Sequence, residues 1–319
     1  MKILMIGHGM VGHKFIESVL EQAGDDIELT ILAEEPHLAY DRVHLTEYFS
    51  GKSVKDLSLC RSDFADAYGI DLRLNTKAVE IDQLHKTVTT SQGDVLSFDK
   101  LILATGSYAF VPPIPGNDRQ NCFVYRTIED LDAIRAASLN AKTGVVIGGG
   151  LLGLEAAKAL RDLNLETHVV EFAPRLMAVQ IDDLGGRVLR SKIEDLGVKV
   201  HTQKATSSIE DGDSTQHVMK FGDGSVLETD IILFSAGIRP RDELARQSGL
   251  LIGERGGIII NDYCQTSHPD IYAIGECALW DNKIYGLVAP GYDMARIAAK
   301  HVLGQESHAF AGADMSTKL

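Results

Sequence analysis

Apolar and polar positions repeat with two different periods along this chain. Residues 2–6 form a short apolar run, and the apolar side chains of residues 11–21 then recur at the spacing of one helical face. A second apolar run follows at residues 27–32. This order predicts a strand, a helix and a strand, the βαβ unit of a parallel sheet. The same order returns between Val145 and Glu171, so the chain carries the unit twice.

A glycine pattern opens the helix of each unit. The sequence GHGMVG occupies residues 7–12 and GGGLLG occupies residues 148–153. In such a pattern the first Gly permits a tight turn, the second lets the backbone approach a pyrophosphate, and the third lets helix and strand pack closely. An acidic residue about twenty positions further on accepts hydrogen bonds from a ribose. The predicted dinucleotide contacts are Gly7, Gly9, Met10, Val11, Gly12 and Glu34 in the first unit, and Gly148, Gly150, Leu151, Leu152, Gly153 and Glu171 in the second.

A second pair of segments also repeats. Residues 92–106 (QGDVLSFDKLILATG) align without a gap over residues 223–237 (DGSVLETDIILFSAG). Each segment combines a glycine turn, a strand and a terminal Gly, and each follows its own dinucleotide pattern. Two nucleotide-binding domains in one polypeptide suit an enzyme that passes electrons from one dinucleotide to another.

The predicted fold class is α/β, with two Rossmann-like domains and the second inserted in the first. Three prolines in residues 111–116 (VPPIPG) exclude a helix or a central strand there and mark a linker. No third glycine pattern follows Pro240, so the remaining chain is expected to complete the first domain. The predicted domains are therefore residues 1–110 with 241–319, and residues 111–240. Residues 36–53 show no regular period and are expected to be irregular.

Composition narrows the class of protein. Lys and Arg number 31 against 45 Asp and Glu, a net charge of −14 that argues against nucleic acid or an anionic membrane as partner. No apolar run reaches the ~18–20 residues of a membrane span, and no signal peptide precedes the first strand. The cysteines (Cys60, Cys122, Cys264, Cys277) form no C-x-x-C pair, and the histidines form no ligand motif, so no metal is predicted. Isolated thiols fit a cytoplasmic protein.

The paired patterns, together with LATG at 103–106, SAGIRP at 235–240 and IYAIGEC at 271–277, resemble the FAD-dependent pyridine nucleotide–disulfide oxidoreductase superfamily. The resemblance covers essentially the whole chain and implies a glutathione-reductase-like fold. It implies that the first domain binds FAD and the second binds NAD(P)H. His8 is then expected near the FAD phosphate. Because Glu171 would repel a 2′-phosphate, NADH is favoured over NADPH, although Arg175 lies nearby.

Further site residues are implied by this resemblance. FAD contacts are expected from Arg42, Val79, Ala104, Thr105, Gly106, Gly275 and Glu276, and NAD contacts from Ala236 and Gly237. Most members of the superfamily have Gly-Asp where this chain has Gly275-Glu276. Glu155 lies where the superfamily often places a carboxylate near the nicotinamide, and it is the one catalytic candidate. The alternative for Arg42 is a surface salt bridge, and the alternative for Glu155 is an ordinary helix carboxylate.

A narrower resemblance concerns the electron acceptor. AYDRVHL at 39–45, the Gly-Glu-Cys variant, YGLVAPGY at 285–292 and GADMSTKL at 312–319 are similar to the N-terminal flavin portion of the large subunit of assimilatory NADH nitrite reductases. In that family iron–sulfur and sirohaem modules follow, so the chain is expected to be a truncated form or the flavin module alone. Residues 36–53 lack the cysteine of some NADH oxidases and the Pro-x-x-x-Lys of rubredoxin and ferredoxin reductases. The alternatives are a free-standing reductase of a small electron carrier, or a redox sensor that binds NADH.

Overall fold

The computed structural model describes residues 1–314 of the chain, except Ala23 and Asp25. The strands are β1 (Lys2–Ile6), β2 (Glu28–Leu32), β3 (Asp71–Arg73), β4 (Ala78–Asp82), β5 (Thr87–Thr90), β6 (Val95–Ser97), β7 (Lys100–Leu103), β8 (Ser107–Ala109), β9 (Cys122–Val124), β10 (Thr143–Ile147), β11 (Glu166–Val170), β12 (Lys199–His201), β13 (Thr206–Asp211), β14 (His217–Phe221), β15 (Val226–Thr229), β16 (Ile231–Phe234), β17 (Ile238–Pro240), β18 (Ile258–Ile259), β19 (Ile271–Ala273) and β20 (Ala278–Leu279). The helices are α1 (Met10–Leu20), α2 (Val54–Leu57), α3 (Phe64–Tyr68), α4 (Ile128–Ser138), α5 (Leu151–Asp162), α6 (Asp183–Asp195), α7 (Glu243–Gln247) and α8 (Val288–Val302), and 3₁₀ segments cover Arg42–Tyr48 and Gly275–Cys277.

The chain divides into two compact units. The first unit comprises Met1–Asp41, Leu57–Tyr108 and the described chain from Arg239 onward, and the second comprises Arg42–Asp56 and Ala109–Ile238. Residues 42–56, which the predicted first domain includes, therefore group with the second unit. The short strands β8 and β17 pair with each other.

A parallel five-stranded sheet in the order β19-β7-β1-β2-β3 forms the centre of the first unit. The side chains of β1 from Ile3 to Ile6 are all buried, because both faces of such a sheet are covered. Helices α1 and α8 pack against each other. The resulting core continues into the buried apolar residues of β19 and α8.

A second parallel sheet, in the order β12-β11-β10-β16-β9, forms the centre of the second unit. Helix α5 follows β10 and packs against β10 and β11. The two units therefore share the plan that the twin βαβ patterns predicted. In each sheet the chain runs first to one side of the central strand, β1 or β10, and returns later to its other side, at β7 or β16. Ligands of open parallel sheets bind outside the carboxyl ends of the strands at this reversal.

Each unit also carries a three-stranded antiparallel sheet, β4-β5-β6 in the first and β13-β14-β15 in the second. The turns of the two repeated segments hold Gly93 at φ +90° and Gly224 at φ +82°, backbone conformations that favour glycine. Both segments then lead into a buried strand of the main sheet, β7 or β16. The predicted repeat is thus also a repeat of structure.

The structure adds detail to the predicted local elements. Residues 36–53, expected to be irregular, contain the 3₁₀ segment Arg42–Tyr48. Helix α6 begins at Asp183 and helix α8 begins at Val288. Among the described residues, no helix combines the length and apolar character that crossing a membrane requires.

Candidate dinucleotide-binding sites

The first glycine turn lies at the reversal point of the first sheet. Gly7 has φ +104°, and a Cβ built on it would lie 2.2 Å from the carbonyl oxygen of Ala104, at the end of β7. A Cβ on Gly12 would lie 2.5 Å from the Gly7 oxygen. By contrast, a Cβ on Gly9 would meet no atom within 4 Å. Gly7 and Gly12 are therefore required by close packing, whereas Gly9 leaves its backbone accessible to a ligand.

The second glycine turn has the same geometry. Gly148 has φ +121°, and its Cβ would lie 2.2 Å from the carbonyl oxygen of Ser235, at the end of β16. The Cβ of Gly153 would lie 2.0 Å from the Gly148 oxygen, and the Cβ of Gly150 would meet nothing within 4 Å. The roles of the three glycines therefore match in both units.

The helices that follow these turns begin without side-chain caps. Gly9 caps α1 and Gly150 caps α5, and neither helix has an acidic residue in its first turn. In helices α4 and α6, by contrast, the side chains of Thr127 and Asp182 accept hydrogen bonds from first-turn amides. The amides and the positive dipole end of α1 and α5 are thus available to phosphate oxygens. The open glycines and the uncapped amides fit a dinucleotide pyrophosphate in each unit.

The two predicted ribose-binding acids have different surroundings. In the first unit, the half-exposed Glu34 carboxylate pairs with Lys77 at 3.2 Å and with Arg241 at 2.8 Å. In the second, Glu171 Oε2 accepts a hydrogen bond from the Gly149 amide at 2.5 Å, and Oε1 accepts one from the Ala173 amide at 2.6 Å. Glu171 is therefore fixed to its own glycine turn, whereas Glu34 is held by cations on other segments.

Arg175, the cation that could have accommodated a 2′-phosphate, is engaged elsewhere. Its guanidinium donates to the backbone oxygens of Ile181 and Ala178 and pairs with Asp183 at 2.7 Å. Its aliphatic stem occupies the space beside Gly186 of α6, where a Cβ would lie 2.9 Å from Arg175 Cδ. Arg175 thus anchors α6 to the loop that follows β11.

The segment 104–106 closes one side of the first site. The Ala104 amide donates to the Ile6 oxygen, and the Thr105 hydroxyl donates to the Arg241 oxygen at 2.7 Å. The Arg241 amide in turn donates to the oxygen of Gly106, which has φ +68°. Sequence reasoning did not include Arg241, although it joins this segment to Glu34. The sequence held little indication of it, because 207 positions separate Arg241 from Glu34.

Gly275 and Glu276 follow β19 in the 3₁₀ segment Gly275–Cys277. Gly275 has φ +77°, and its Cβ would lie 3.3 Å from the Val11 side chain at the start of α1. The Glu276 carboxylate accepts a hydrogen bond from the Ser107 hydroxyl at 2.6 Å. Ser107, also absent from the predicted site, is therefore a partner of Glu276. Gly275 thus brings the first helix turn and the Glu276 segment together.

The remaining predicted residues fall in both units. Val79 is exposed on β4 of the first unit. Ala236 and Gly237 follow β16, and the Gly237 oxygen accepts a hydrogen bond from the Phe110 amide. Met10 and Val11 occupy the first turn of α1, and Leu151 and Leu152 the first turn of α5.

Arg42 and Glu155 both lie in the second unit. Arg42 Nη1 donates to the Arg126 oxygen at 2.9 Å. Glu155, half-buried on α5, has its pKa raised by burial, and the nearby His44 opposes that shift. A carboxyl with a raised pKa keeps its proton at a pH closer to neutral than an ordinary carboxyl does.

The comparisons with known proteins identify the family. A family model described as pyridine nucleotide-disulphide oxidoreductase matches residues 1–301. The chain belongs to this family. The oxidoreductase is 55% identical over 320 residues to the nitrite reductase (NADH) large subunit of Escherichia coli K12, covering 100% of this chain and 38% of that protein. It is 37% identical over 319 residues to the assimilatory nitrate reductase electron transfer subunit of Bacillus subtilis 168, covering 100% of this chain and 41% of that protein.

Solved structures agree with this assignment. The NAD-dependent persulfide reductase of A. fulgidus superposes with a TM-score of 0.90 at 28% identity, covering 96% of this oxidoreductase and 60% of that chain. The NADH:rubredoxin oxidoreductase of Clostridium acetobutylicum superposes with a TM-score of 0.86 at 27% identity, covering 100% and 79%. The predicted superfamily and the α/β fold class with two Rossmann-like domains are confirmed. This oxidoreductase spans about two fifths of the length of the two curated relatives.

Proposed function

We propose that this chain is an NADH-oxidising flavin module, which binds FAD in the first unit and NADH in the second. The observation that carries the proposal is the pair of matching glycine turns, each with one glycine open to a ligand and an uncapped helix behind it. One chain with two such sites suits transfer of electrons between two dinucleotides. The family and its relatives named for NADH or NAD support a flavin and a nicotinamide nucleotide.

The first unit supplies the groups that would hold FAD. The Gly9, Met10 and Val11 amides face the pyrophosphate position, and Glu34 would accept hydrogen bonds from the adenosine ribose. Gly106, Gly275 and Glu276 would border the rest of the cofactor. Arg241 and Ser107 would contribute to FAD binding indirectly, because Arg241 positions Glu34 and Ser107 positions Glu276.

The second unit supplies the groups that would hold NADH. The Gly150, Leu151 and Leu152 amides would bind the pyrophosphate, and Ala236 and Gly237, which follow β16, would contact the nucleotide. Glu171, fixed by two amides, presents a negative charge where NADPH would carry a 2′-phosphate. Since Arg175 is committed to Asp183 and two backbone oxygens, no cation in that loop offsets this charge. We therefore propose that NADH is preferred to NADPH.

When bound, FAD accepts the hydride of NADH and delivers electrons onward, and the chain's own residues bind and orient the two nucleotides. The cysteine nearest Glu276 is a structural thiol. Cys277 is completely buried, burial raises its pKa, and Sγ donates to the oxygens of Leu103 and Ile274. A protonated, enclosed thiol is unsuited to disulfide exchange. We therefore propose an acceptor other than a thiol pair of this chain.

The acceptor we propose is an iron–sulfur and sirohaem centre that reduces nitrite in the cytoplasm, within nitrate assimilation. The support is the 55% identity to a nitrite reductase (NADH) large subunit of which this chain spans 38%. A second candidate is reduction of a small carrier such as rubredoxin or ferredoxin, favoured by the 27% identity to a NADH:rubredoxin oxidoreductase. A redox-sensing flavoprotein would show flavin reduction without turnover on any acceptor.

An anaerobic titration with NADH tests the proposal. The protein, reconstituted with FAD, is expected to lose its flavin absorption near ~450 nm at one equivalent of NADH, and to respond more weakly to NADPH. Bound flavin that NADH leaves oxidised would refute the oxidoreductase function. The reduced protein is then mixed with rubredoxin, with ferredoxin or with an artificial acceptor. The acceptor that restores the flavin absorption distinguishes the three candidate functions.

A further inference from the structure

Three potential metal ligands meet beside the first glycine turn. His8 lies within the turn, His13 lies on the first turns of α1, and Cys60 comes from the segment before α3. Their ligand atoms all lie within 4.8 Å of one another. Their spacings in sequence match no metal-binding motif, so only the fold reveals this group. We call these three residues the His–His–Cys cluster.

The two imidazoles are buried without hydrogen-bond partners for most of their nitrogens. His8 is 8% exposed and His13 is 4% exposed. Both ring nitrogens of His8, and Nδ1 of His13, lack a partner among the described residues. Buried polar atoms are normally satisfied, so three unsatisfied nitrogens at one place call for a ligand.

Aromatic packing surrounds part of the His–His–Cys cluster. His13 Nε2 lies 3.7 Å from Glu17 Oε1, which allows an electrostatic interaction but is too far for a hydrogen bond. The ring of Phe64 covers both imidazoles, at 6.4 Å from His8 and 5.0 Å from His13 between ring centroids. The cluster is therefore enclosed on its apolar side.

We propose that His8, His13 and Cys60 bind a divalent transition metal of the zinc type, with a fourth coordination position left open. Imidazole nitrogen and thiolate sulfur are the ligands that zinc prefers. Around a tetrahedral zinc, such atoms lie roughly 3.3–3.8 Å apart, so small side-chain rotations close the site. On binding, the Cys60 thiol loses its proton to solvent and the sulfur forms the metal bond.

Neutral imidazole is the form of histidine that coordinates a metal. The inference does not depend on whether the glycine turns bind FAD and NADH.

Titration with Co²⁺, a spectroscopic substitute for zinc, tests the proposal. The chelator-treated full chain is expected to bind one Co²⁺, with a thiolate-to-cobalt band in the near ultraviolet and tetrahedral bands in the red, read as difference spectra. Zn²⁺ should abolish these bands by displacing Co²⁺. Cys60→Ser should remove the thiolate band, whereas Cys122→Ser, the matched change at the half-buried thiol of the second unit, should leave the spectrum intact.

A second measurement needs no variant. In the unaltered protein, saturating Zn²⁺ should protect Cys60 from alkylation, as peptide mass spectrometry reports, and should leave the labelling of Cys122 unchanged. Absence of a stoichiometric Co²⁺ spectrum would overturn the proposal, as would an unchanged spectrum in Cys60→Ser. Equal alkylation of Cys60 with and without Zn²⁺ would overturn it as well. Metal binding that persists with both histidines replaced by Gln would assign the metal to other residues and also refute it.

Discussion

The two glycine turns of this protein have the same backbone geometry but differ in the side chains in and around them. A Cβ built on Gly7 would lie 2.2 Å from the carbonyl oxygen of Ala104, and a Cβ built on Gly148 would lie 2.2 Å from that of Ser235. The position between the first two glycines is His8 in one unit and Gly149 in the other. Glu34 faces outward to Lys77 and Arg241, whereas Glu171 turns inward to the amides of its own loop.

This difference separates what the pattern determines from what it leaves variable. The glycines determine where the turn can approach a neighbouring strand and where a phosphate can approach the turn. The residues between and behind them decide which nucleotide is held and what else the turn can bind. Matched substitutions in the two units therefore test the role of the glycines separately from the role of the residues around them.

Replacing the first glycine of either turn should have the largest effect. Gly7→Ala and Gly148→Ala would each combine strain at a positive φ with a Cβ 2.2 Å from a carbonyl oxygen. We expect each change to lower the free energy of unfolding by about 3–5 kcal/mol. Urea denaturation measures this loss. Gly9→Ala is the control, and a loss below about 1 kcal/mol in Gly7→Ala would contradict the close approach.

Replacing the second glycine should affect ligands more than stability. Gly9 and Gly150 have extended backbones that alanine adopts freely, and their Cβ would meet no protein atom. We expect Gly9→Ala to weaken FAD binding and Gly150→Ala to weaken NADH binding, each by about 10–100-fold. Flavin retention and NADH titration of both variants measure the effects. The assignment of nucleotides to units fails if Gly9→Ala weakens NADH binding and spares FAD.

The two acids should differ in their contribution to stability. Glu171→Gln removes a carboxylate that accepts hydrogen bonds from two amides and brings an NH₂ group toward one of those donors. We expect a loss of about 1–2 kcal/mol in unfolding free energy. Glu34→Gln breaks only half-exposed ion pairs and should cost at most about 0.5 kcal/mol. Denaturation of the two variants side by side provides the test, and equal losses would remove the distinction.

The smallest expected effect is the contribution of one histidine pair in the second unit to the pH dependence of stability. His168 on β11, where β2 has Thr30, shares a hydrogen bond with His201 at 3.0 Å, and burial lowers the pKa of both histidines. The charged groups that face the pair are Glu166, Lys199, Lys204 and Arg190. The unfolded chain binds these protons at a higher pH than the folded chain does. The contribution of the pair to stability should therefore be constant above about pH 6.5 and fall as pH falls below that value.

A double variant isolates this contribution. Replacing His168 with Thr and His201 with Gln should make the stability profile less steep below pH 6.5, by about 1.4 kcal/mol for each unit of pKa depression removed. Urea denaturation of the protein and of the double variant at several pH values gives the two profiles. A profile equally steep in the double variant would exclude the His168–His201 pair as its source.

Local patterns predicted most strands, both glycine turns and both hairpin repeats, because each depends on a few adjacent residues. The starts of helices α6 and α8 are less evident locally, because glycine and proline are poor helix formers. Helix α6 contains Gly185 and Gly186, and the Arg175 stem occupies the space that a Cβ on Gly186 would need. Helix α8 also contains a proline and a glycine near its start. Its Pro290 lies in the first turn, where proline is tolerated, and Gly291 is needed because a Cβ would lie 2.5 Å from Val11.

The site residues also divide into those that local sequence predicts and those that only the tertiary structure brings together. The glycines and acids of the two turns could be located from sequence, because their spacing reflects one local unit. Arg241 beside Glu34, Ser107 beside Glu276, and Cys60 beside the two histidines could not, since only tertiary structure brings these residues together. Their chemistry depends on segments that the sequence separates by tens to hundreds of positions.

The order of strands in the first sheet has a consequence for the growing polypeptide. Strand β7 is hydrogen bonded to β1 on one side and to β19 on the other, and α1 packs against α8. Until residues 271–302 are synthesised, β7 remains an unprotected sheet edge and α1 lacks its covering helix. The second sheet has all its strands between residues 122 and 234, so it can be completed earlier. Translation therefore favours a folding order opposite to the sequence order: the later glycine turn matures on the ribosome before the first one.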